Sequence, residues 1–368
     1  MFDLKKATEA LVKGSIIVAQ DGTRMYTPDG KASYDAFWVR DFTYMAEYAG
    51  EFIPDEDLKN GICYFLSHTD KNGWIPDRVD ASGHAYYTAG YLLPASPNLD
   101  NGCFLPILAD VYLRRLKPED ARAQFLQWNA ALCRGLDILP CDEHSIISNQ
   151  ATPPHSPYGF TDTISKTGLL AMETLLLWRA CRVLHHWQTA CGMDGSQWLR
   201  RISDIETHFA SVFADESGML LAATGTCRQI DIWASCYAVA IDFPLPPALR
   251  SGISGWLAEH YSTVTQHGQV RHLPACEYWE KTFLDVAPGS YQNGAYWATP
   301  AGWSYLALKE TQPALACRQM EELLRYFETE GIYECINHEE KKLDTYVASA
   351  ANVYAVYPDY QKLKASLS

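Results

Sequence analysis

Hydrophobic positions recur with a helical period along most of the chain, and one kind of segment carries them on a single stripe. In 194–213 the apolar residues lie three or four positions apart, the spacing of one face of an α-helix. They are Trp198, Leu199, Ile202, Ile205, Phe209, Val212 and Phe213. Five further segments read similarly: 3–19, 56–67, 118–136, 247–260 and 313–328, the last with Leu315, Met320, Leu323, Leu324 and Phe327 on its stripe. Each predicts an amphipathic helix with one buried face.

A second kind of segment is apolar on nearly every side. Clear examples are CFLPILADVYL at 103–113 and GLLAMETLLLWRAC at 168–181. The other four are 42–50, 231–241, 294–308 and 345–357. A helix without a polar face is buried all round, so these segments predict helices in the interior.

The two kinds alternate along the chain, six of each, which predicts an inner ring of six helices wrapped by an outer ring of six. The expected fold class is therefore all-α, an (α/α)6 toroid. An irregular all-α domain is the alternative, but it gives no reason for the alternation. No alternating apolar pattern runs long enough to build a sheet, and no linker-like stretch divides the chain, so we expect one catalytic domain over 1–368.

Composition narrows the partners and the compartment. A net charge of −14 argues against nucleic acid, and no apolar run approaches the roughly 18 residues of a membrane span. The N-terminal segment lacks the features of a signal peptide. The 11 cysteines have no metal-site or disulfide spacing. These features favour a protein of the reducing cytoplasm.

The sequence turns polar just before each apolar segment. The six places are Trp38-Val39-Arg40-Asp41, Asn98-Leu99-Asp100-Asn101-Gly102, Tyr158-Gly159-Phe160-Thr161-Asp162, Arg228-Gln229-Ile230-Asp231, Tyr291-Gln292-Asn293-Gly294 and the stretch from Glu334 to Asp344. Inner helices of a toroid run parallel, so all six places would meet at one end. Helix capping could explain a single Asp or Asn, but it has no use for Trp38 beside Arg40. Convergent polar groups among aromatic rings are what a sugar pocket needs.

Several of these motifs resemble known glycosidases. SYDAFWVRDF at 33–42 resembles the W-x-R-D signature of glucoamylases and the corresponding segment of neutral/alkaline invertases. NLDNGCFLPIL at 98–108, DTISKTGLLAMETLLLWRA at 162–180, YQNGAYW at 291–297 and GIYECIN at 331–337 resemble later motifs of those families, in the same order. The resemblance implies a six-hairpin glycosidase in which Asp162 is the general acid and Glu334 the general base. It also implies that Arg40 and Asp41 hold hydroxyls of the reacting sugar.

The residues expected to contact substrate are Tyr34, Trp38, Arg40, Asp41, Asp100, Asn101, Tyr158, Gln229, Asp231, Gln292, Asn293 and Trp297. The chain also departs from the related motifs. Asp162 stands where glucoamylases have Glu, Gln292 where invertases have His, and Glu334 lacks the flanking Trp-Pro of invertases. These departures bear on the substrate more than on the mechanism.

The expected activity is inverting, exo-acting hydrolysis of a small soluble glycoside, with an α-linked hexose as the default. We expect Asp162 at a helix start and Glu334 in a polar loop facing water. Asp100 is the rival acid, and Glu339, Glu340 and Asp344 are rival bases. A sugar epimerase or a glycoside phosphorylase on the same fold are the alternative functions. No metal or cofactor is expected, because no HxxH or HExxH spacing occurs.

Overall fold

A computed structural model describes residues 2–31, 33–89, 94, 96–338 and 340–367. Twelve α-helices lie within these ranges: α1 Leu4–Gly14, α2 Val39–Ala49, α3 Asp55–Ser67, α4 Asn101–Leu113, α5 Pro118–Asp137, α6 Ala171–Ala190, α7 Ser196–Phe213, α8 Ile232–Ala240, α9 Pro247–Val264, α10 Ala301–Lys309, α11 Pro313–Thr329 and α12 Val347–Leu367. Each predicted segment overlaps one of them.

The even-numbered helices form a closed ring. Each of α2, α4, α6, α8 and α10 packs against the next, and α12 packs both on α10 and back on α2. The odd-numbered helices lie outside: α5, for example, bridges α4 and α6, and α11 bridges α10 and α12. The predicted (α/α)6 toroid is confirmed.

Burial follows the two kinds of segment. Every residue of α8 from Ile232 to Val239 is buried, whereas α7 buries only Trp198, Ile202, Ile205, Phe209 and Phe213. For one residue of the predicted apolar stripe of α7, the prediction of burial was wrong. Leu199 is 50% exposed, because it lies one position beyond the face that packs on α6.

Short strands join the helices. They are β1 Ile16–Val18, β2 Arg24–Tyr26, β3 Ala36–Trp38, β4 Arg78–Asp80, β5 Ala85–Tyr86, β6 Ser148–Asn149, β7 Gly168–Leu169, β8 Thr265–Gln266, β9 Gln269–Val270, β10 Tyr333–Asn337 and β11 Glu340–Asp344. They pair antiparallel as β1-β2, β3-β4-β5, β6-β7, β8-β9 and β10-β11. Strand β3 leads directly into α2, and the β10-β11 hairpin precedes α12, so strands position the residues at the entrance of the ring.

Two predicted helix starts were misplaced. Helix α6 begins at Ala171, and Asp162 instead follows a single 3-10 turn, Gly159–Thr161. Helix α10 begins at Ala301, seven residues after the predicted 294. Both inner helices are therefore entered through irregular segments. In the described part of the chain, no helix combines the length and the apolar character needed to cross a membrane.

Candidate active site

A pocket opens at the end of the ring where the inner helices begin. Its lining is Pro28, Tyr34, Trp38, Arg40, Asp41, Gly159, Phe160, Asp162, Tyr291, Glu334 and Tyr346. These residues come from the segment between β2 and β3, from β3 and the start of α2, from the segments before α6, α10 and α12, and from β10. The convergence expected of parallel inner helices thus brings together two carboxyl groups predicted to be catalytic.

Arg40 is held in a buried ion network on one wall. Its guanidinium donates from Nε to Asp100 at 3.1 Å and from Nη2 to Asp77 at 3.1 Å. Asp77 also pairs with Arg78 at 3.0 Å and accepts from the Asn98 amide at 3.1 Å. Arg40, Asp77 and Asp100 are all at most 2% exposed. The network therefore ties the start of α2 to the start of α4.

Gly159 allows the segment that ends at Asp162 to approach this network closely. A Cβ atom on Gly159 would lie 1.5 Å from Cζ of Arg40, so a side chain here would collide with the guanidinium. The Gly159 amide donates to the same Asp100 oxygen, at 2.9 Å. Asp100 therefore binds Arg40 and Gly159 together, which fixes the segment that ends at Asp162.

Gln292 orients Asp162 from the other side. Its amide nitrogen donates to Oδ1 of Asp162 at 2.8 Å and to the Gly159 carbonyl at 3.2 Å. Its amide oxygen accepts from the backbone and the hydroxyl of Thr163, at 2.9 and 2.6 Å. Burial raises the pKa of Asp162 to about 7, although Arg40 and the Gln292 hydrogen bond act in the opposite direction. A carboxyl of this kind can carry a proton near neutral pH.

Glu334 lies on strand β10 and is 1% exposed, so its predicted position in a loop facing water was wrong. The β10-β11 hairpin and the Tyr34 side chain cover the Glu334 carboxyl. Tyr34 donates its hydroxyl to Oε1 of Glu334 at 2.7 Å, and the Tyr291 hydroxyl lies 3.2 Å from that of Tyr34. Burial raises the pKa of Glu334 to about 7, with Lys342 and the Tyr34 hydrogen bond opposing the rise.

Asp41 and Trp38 complete the wall beside Arg40. The Tyr346 hydroxyl donates to Oδ1 of Asp41 at 2.9 Å. Burial raises the pKa of Asp41 to about 6, while Arg40 and this hydrogen bond lower it. The Arg78 guanidinium lies 4.6 Å from the centre of the Trp38 ring, which fixes the orientation of that ring.

Several residues expected to contact substrate lie behind the pocket lining. Asp100 accepts hydrogen bonds from Arg40 and Gly159, Gln292 donates to Asp162, and the Trp297 ring packs on Phe160. Asp231 caps α8, and Tyr158 is hydrogen-bonded to Tyr44. The other three bond to main-chain groups: Asn101 to the Ile75 and Tyr87 carbonyls, Gln229 to the Tyr278 carbonyl and Glu280 amide, and Asn293 to the Trp279 amide and Val286 carbonyl. Of the whole set, Asp100, Gln292 and Trp297 contact residues of the pocket lining and so support it from outside. The rival bases Glu340 and Asp344 lie on β11 outside the pocket lining, and Glu339 is outside the described residues.

Tyr291, Tyr346 and Lys342 were missed as functional candidates. Tyr291 belongs to the YQNGAYW segment, and Tyr346 directly precedes α12, so both stand at inner-helix approaches that the polar pattern had already marked. Lys342 follows Glu340 and Lys341 in a run of charged residues, a pattern typical of a solvated surface patch. Nothing in the local sequence distinguishes the two lysines.

A larger cavity of about 670 Å³ lies at the opposite end of the ring, where α4 and α8 end. Two of its three arginines are already paired: Arg114 with Asp110 at 2.7 Å, and Arg179 with Glu47. It lacks a pair of catalytic carboxyls, so the pocket with Asp162 and Glu334 is the candidate active site. Among the described residues, no group of three or more His, Cys, Asp or Glu side chains is arranged to hold a metal ion.

The fold has known relatives among solved structures. The GH63 mannosylglycerate hydrolase from Thermus thermophilus in complex with glucose has a TM-score of 0.67 at 13% identity, covering 96% of this chain and 99% of that chain. An uncharacterized conserved protein from the same organism has a TM-score of 0.65 at 14% identity, with the same coverages. The rhamnosidase from Klebsiella oxytoca with rhamnose bound has a TM-score of 0.61 at 12% identity, covering 97% of this chain and 64% of that one.

At these identities the likeness establishes the fold: this chain has the all-α toroid of six-hairpin glycosidases. No family model matches the sequence, and no curated protein matches it.

Proposed function

We propose that this protein is an inverting, exo-acting glycoside hydrolase of small soluble glycosides. The observation that carries the proposal is the pair Asp162 and Glu334, two buried carboxyl groups that line one pocket and are held by different partners. Glycoside hydrolysis uses such a pair, one group as acid and one as base or nucleophile.

Asp162 is the acid in this proposal. Burial raises its pKa to about 7, so a protonated fraction persists at neutral pH, and this form donates its proton to the glycosidic oxygen as the bond to the anomeric carbon breaks. Gln292 restrains the carboxyl by bonding Oδ1, which leaves Oδ2 for the leaving group. Positioned general acids of this kind contribute typically about 10²–10⁴-fold in rate.

Glu334 is the base. Its Oε1 is engaged by Tyr34, and Oε2 accepts no hydrogen bond from the described residues. Oε2 is therefore the atom that takes a proton from a water molecule as that water attacks the anomeric carbon from the face opposite the leaving group. The products are a sugar of inverted configuration and the free alcohol, and the two carboxyls end with exchanged protonation states.

Asp41 and Trp38 bind the reacting sugar, and Arg40 holds the wall that carries them. Asp41 keeps an oxygen beyond the one bonded to Tyr346, and a buried carboxylate acceptor strengthens its contact with a hydroxyl as charge develops in the transition state. Arg40 serves chiefly through Asp77 and Asp100, so its contribution is to hold the wall in place. The Trp38 ring supplies an apolar face for a sugar ring.

The expected substrate is an α-linked hexoside, on the resemblance to the W-x-R-D families. Two structural relatives carry sugars in their printed titles, glucose in the mannosylglycerate hydrolase and rhamnose in the rhamnosidase, which supports a monosaccharide-sized reacting group. A sugar epimerase and a glycoside phosphorylase remain the alternatives. An epimerase of this fold works with histidines, whereas carboxyl groups occupy the corresponding place in this pocket.

The test is a screen of aryl α- and β-hexosides and small glycosides, with proton NMR following the anomer released first. Inverted free sugar supports the proposal. A product of retained configuration, or a trapped covalent glycosyl-enzyme, overturns the mechanism. Turnover that requires phosphate and yields a sugar phosphate identifies a phosphorylase, and interconversion of free sugars without bond cleavage identifies an epimerase. Glu334→Gln serves as the control with strongly reduced activity on every substrate, and Asp162→Asn as the corresponding control on glycosides with a sugar leaving group.

A further inference from the structure

Lys342 contacts the candidate base directly but has no part in the hydrolytic scheme above. It lies on β11, opposite Cys335 on β10. Its Nζ is 3.8 Å from Oε2 of Glu334 and 3.1 Å from the centre of the Tyr291 ring. The side chain is 45% exposed, yet its ammonium group faces inward between an aromatic ring and a buried carboxyl.

The distance to Glu334 suits a charge effect without a hydrogen bond. At 3.8 Å the ammonium lies beyond hydrogen-bond length, so it stabilises the ionised carboxylate while leaving the lone pairs of Oε2 free. A base needs both properties, because its oxygen must remain available to a water molecule. The Tyr291 ring holds the ammonium at that distance through a cation–π contact.

Asp162 and Glu334 differ in whether the cation beside them is already balanced by other carboxylates. Asp162 faces the Arg40 guanidinium, but that charge is already balanced by Asp77 and Asp100. Among the described residues, Lys342 forms a salt bridge with Glu334 alone. The positive charge that no other carboxylate balances is therefore that of Lys342, next to Glu334.

We propose that Lys342 is a positioning residue that selects Glu334, rather than Asp162, as the ionised member of the pair. The proposal rests on the proposed hydrolytic function for its catalytic meaning. Among the described residues, the other charged or titratable groups that face Glu334 are Tyr34 on the segment before β3, Asp29 on the preceding loop, Asp41 on α2, Tyr291 before α10, Cys335 on β10 and Tyr346 directly before α12. Of these, Asp29 and Asp41 oppose its ionisation and the Tyr34 hydrogen bond supports it. Lys342 is the cation in the set.

The test compares Lys342→Met with Lys341→Met. Lys341 is the adjacent residue on β11 and pairs with Glu330 at 2.6 Å on the surface, so it is a matched control. In the active enzyme, Lys342→Met should move the acidic limb of the kcat/KM profile upward by about one pH unit, the lower end of the effect of a close opposite charge. At a pH well below that limb the rate falls about tenfold, while the alkaline limb stays in place. Lys342→Arg should restore the wild-type profile.

A direct titration separates this proposal from the hydrolase assignment. The Glu334 carboxyl is followed by ¹³C NMR in glutamate-labelled protein, with Glu334→Gln identifying its signal. An upward shift in Lys342→Met but not in Lys341→Met supports the role of Lys342 even where the glycoside screen finds no substrate. An unchanged Glu334 titration, or an equal shift in both variants, overturns it.

Discussion

Lys166 Nζ lies 3.4 Å from Oε1 of Glu173, and both side chains are fully buried. The pair joins the segment after Asp162 to the first turn of α6. Within the described chain, neither Nζ nor either Glu173 oxygen makes a hydrogen bond. Among the described residues, each of the two groups has the other as its one salt-bridge partner.

Removing either Lys166 or Glu173 alone should therefore destabilise the folded protein strongly. We expect Lys166→Met or Glu173→Leu alone to lower the free energy of unfolding by about 3–5 kcal/mol, because each leaves an uncompensated buried charge. The double variant should lose much less than the sum, since a hydrophobic pair of similar volume replaces the ions. Urea denaturation of the four proteins gives the coupling energy. Additive losses would mean that the two charges do not depend on each other.

Asp162 and Glu334 should respond differently to the leaving group. Loss of an acid matters most when the leaving group is poor, so Asp162→Asn should lose far less rate on an aryl glycoside with an acidic phenol than on a sugar leaving group. Glu334→Gln should lose about 10²–10⁴-fold on both. Steady-state kinetics on the two substrates measures the contrast. Asp100→Asn is the control: leaving-group dependence there and not at Asp162 would move the acid to the start of α4.

The same carboxyls should limit stability at alkaline pH. Their pKa values of about 7 lie above the usual 3.8 and 4.5, so between roughly pH 4 and 7 the folded protein binds more protons than the unfolded chain. Stability therefore falls as pH rises through this range and the loss is complete above about pH 7. Asp162→Asn and Glu334→Gln should raise Tm relative to wild type by a few degrees more at pH 8 than at pH 4.

Thermal unfolding at the two pH values checks this expectation. Asp21→Asn is the control, because a hydrogen bond from the Thr23 amide lowers the pKa of this exposed carboxyl. Its Tm difference from wild type should not increase between pH 4 and 8. A constant difference for Asp162→Asn as well would contradict the raised pKa.

Gly159 should tolerate no side chain. Gly159→Ala places a methyl group on the Arg40 guanidinium, so either the ion network or the Asp162 segment must move. We expect a loss of at least about 3 kcal/mol, the cost of breaking a buried ion pair, together with a large fall in kcat. Gly255→Ala is the control: a Cβ there meets nothing within 4 Å, inside α9, and should stabilise the helix by roughly 1 kcal/mol. Circular dichroism melts and rates of both variants decide the point.

The ring was predictable because burial on all sides leaves a distinctive pattern in segments such as α4 and α8. The pocket was predictable in outline for a related reason, since parallel inner helices must bring their starts together. The local structure of the carboxyls was not. Asp162 follows a 3-10 turn and Glu334 lies on a five-residue strand, both too short to leave a periodic signal. The partners of Arg40 were hidden as well, because Asp77 and Asp100 lie 37 and 60 residues away along the chain.

The contact between Tyr34 and Glu334 spans 300 residues, and that between Asp41 and Tyr346 spans 305. Both depend on α12 packing back on α2. During synthesis the N-terminal half of the site emerges from the ribosome long before its counterpart. The proposed catalytic pair, Asp162 and Glu334, can therefore come together only after β10 has been synthesised, and we expect a nascent chain lacking α12 not to turn over substrate. On the proposed function, closure of the helical ring completes the site.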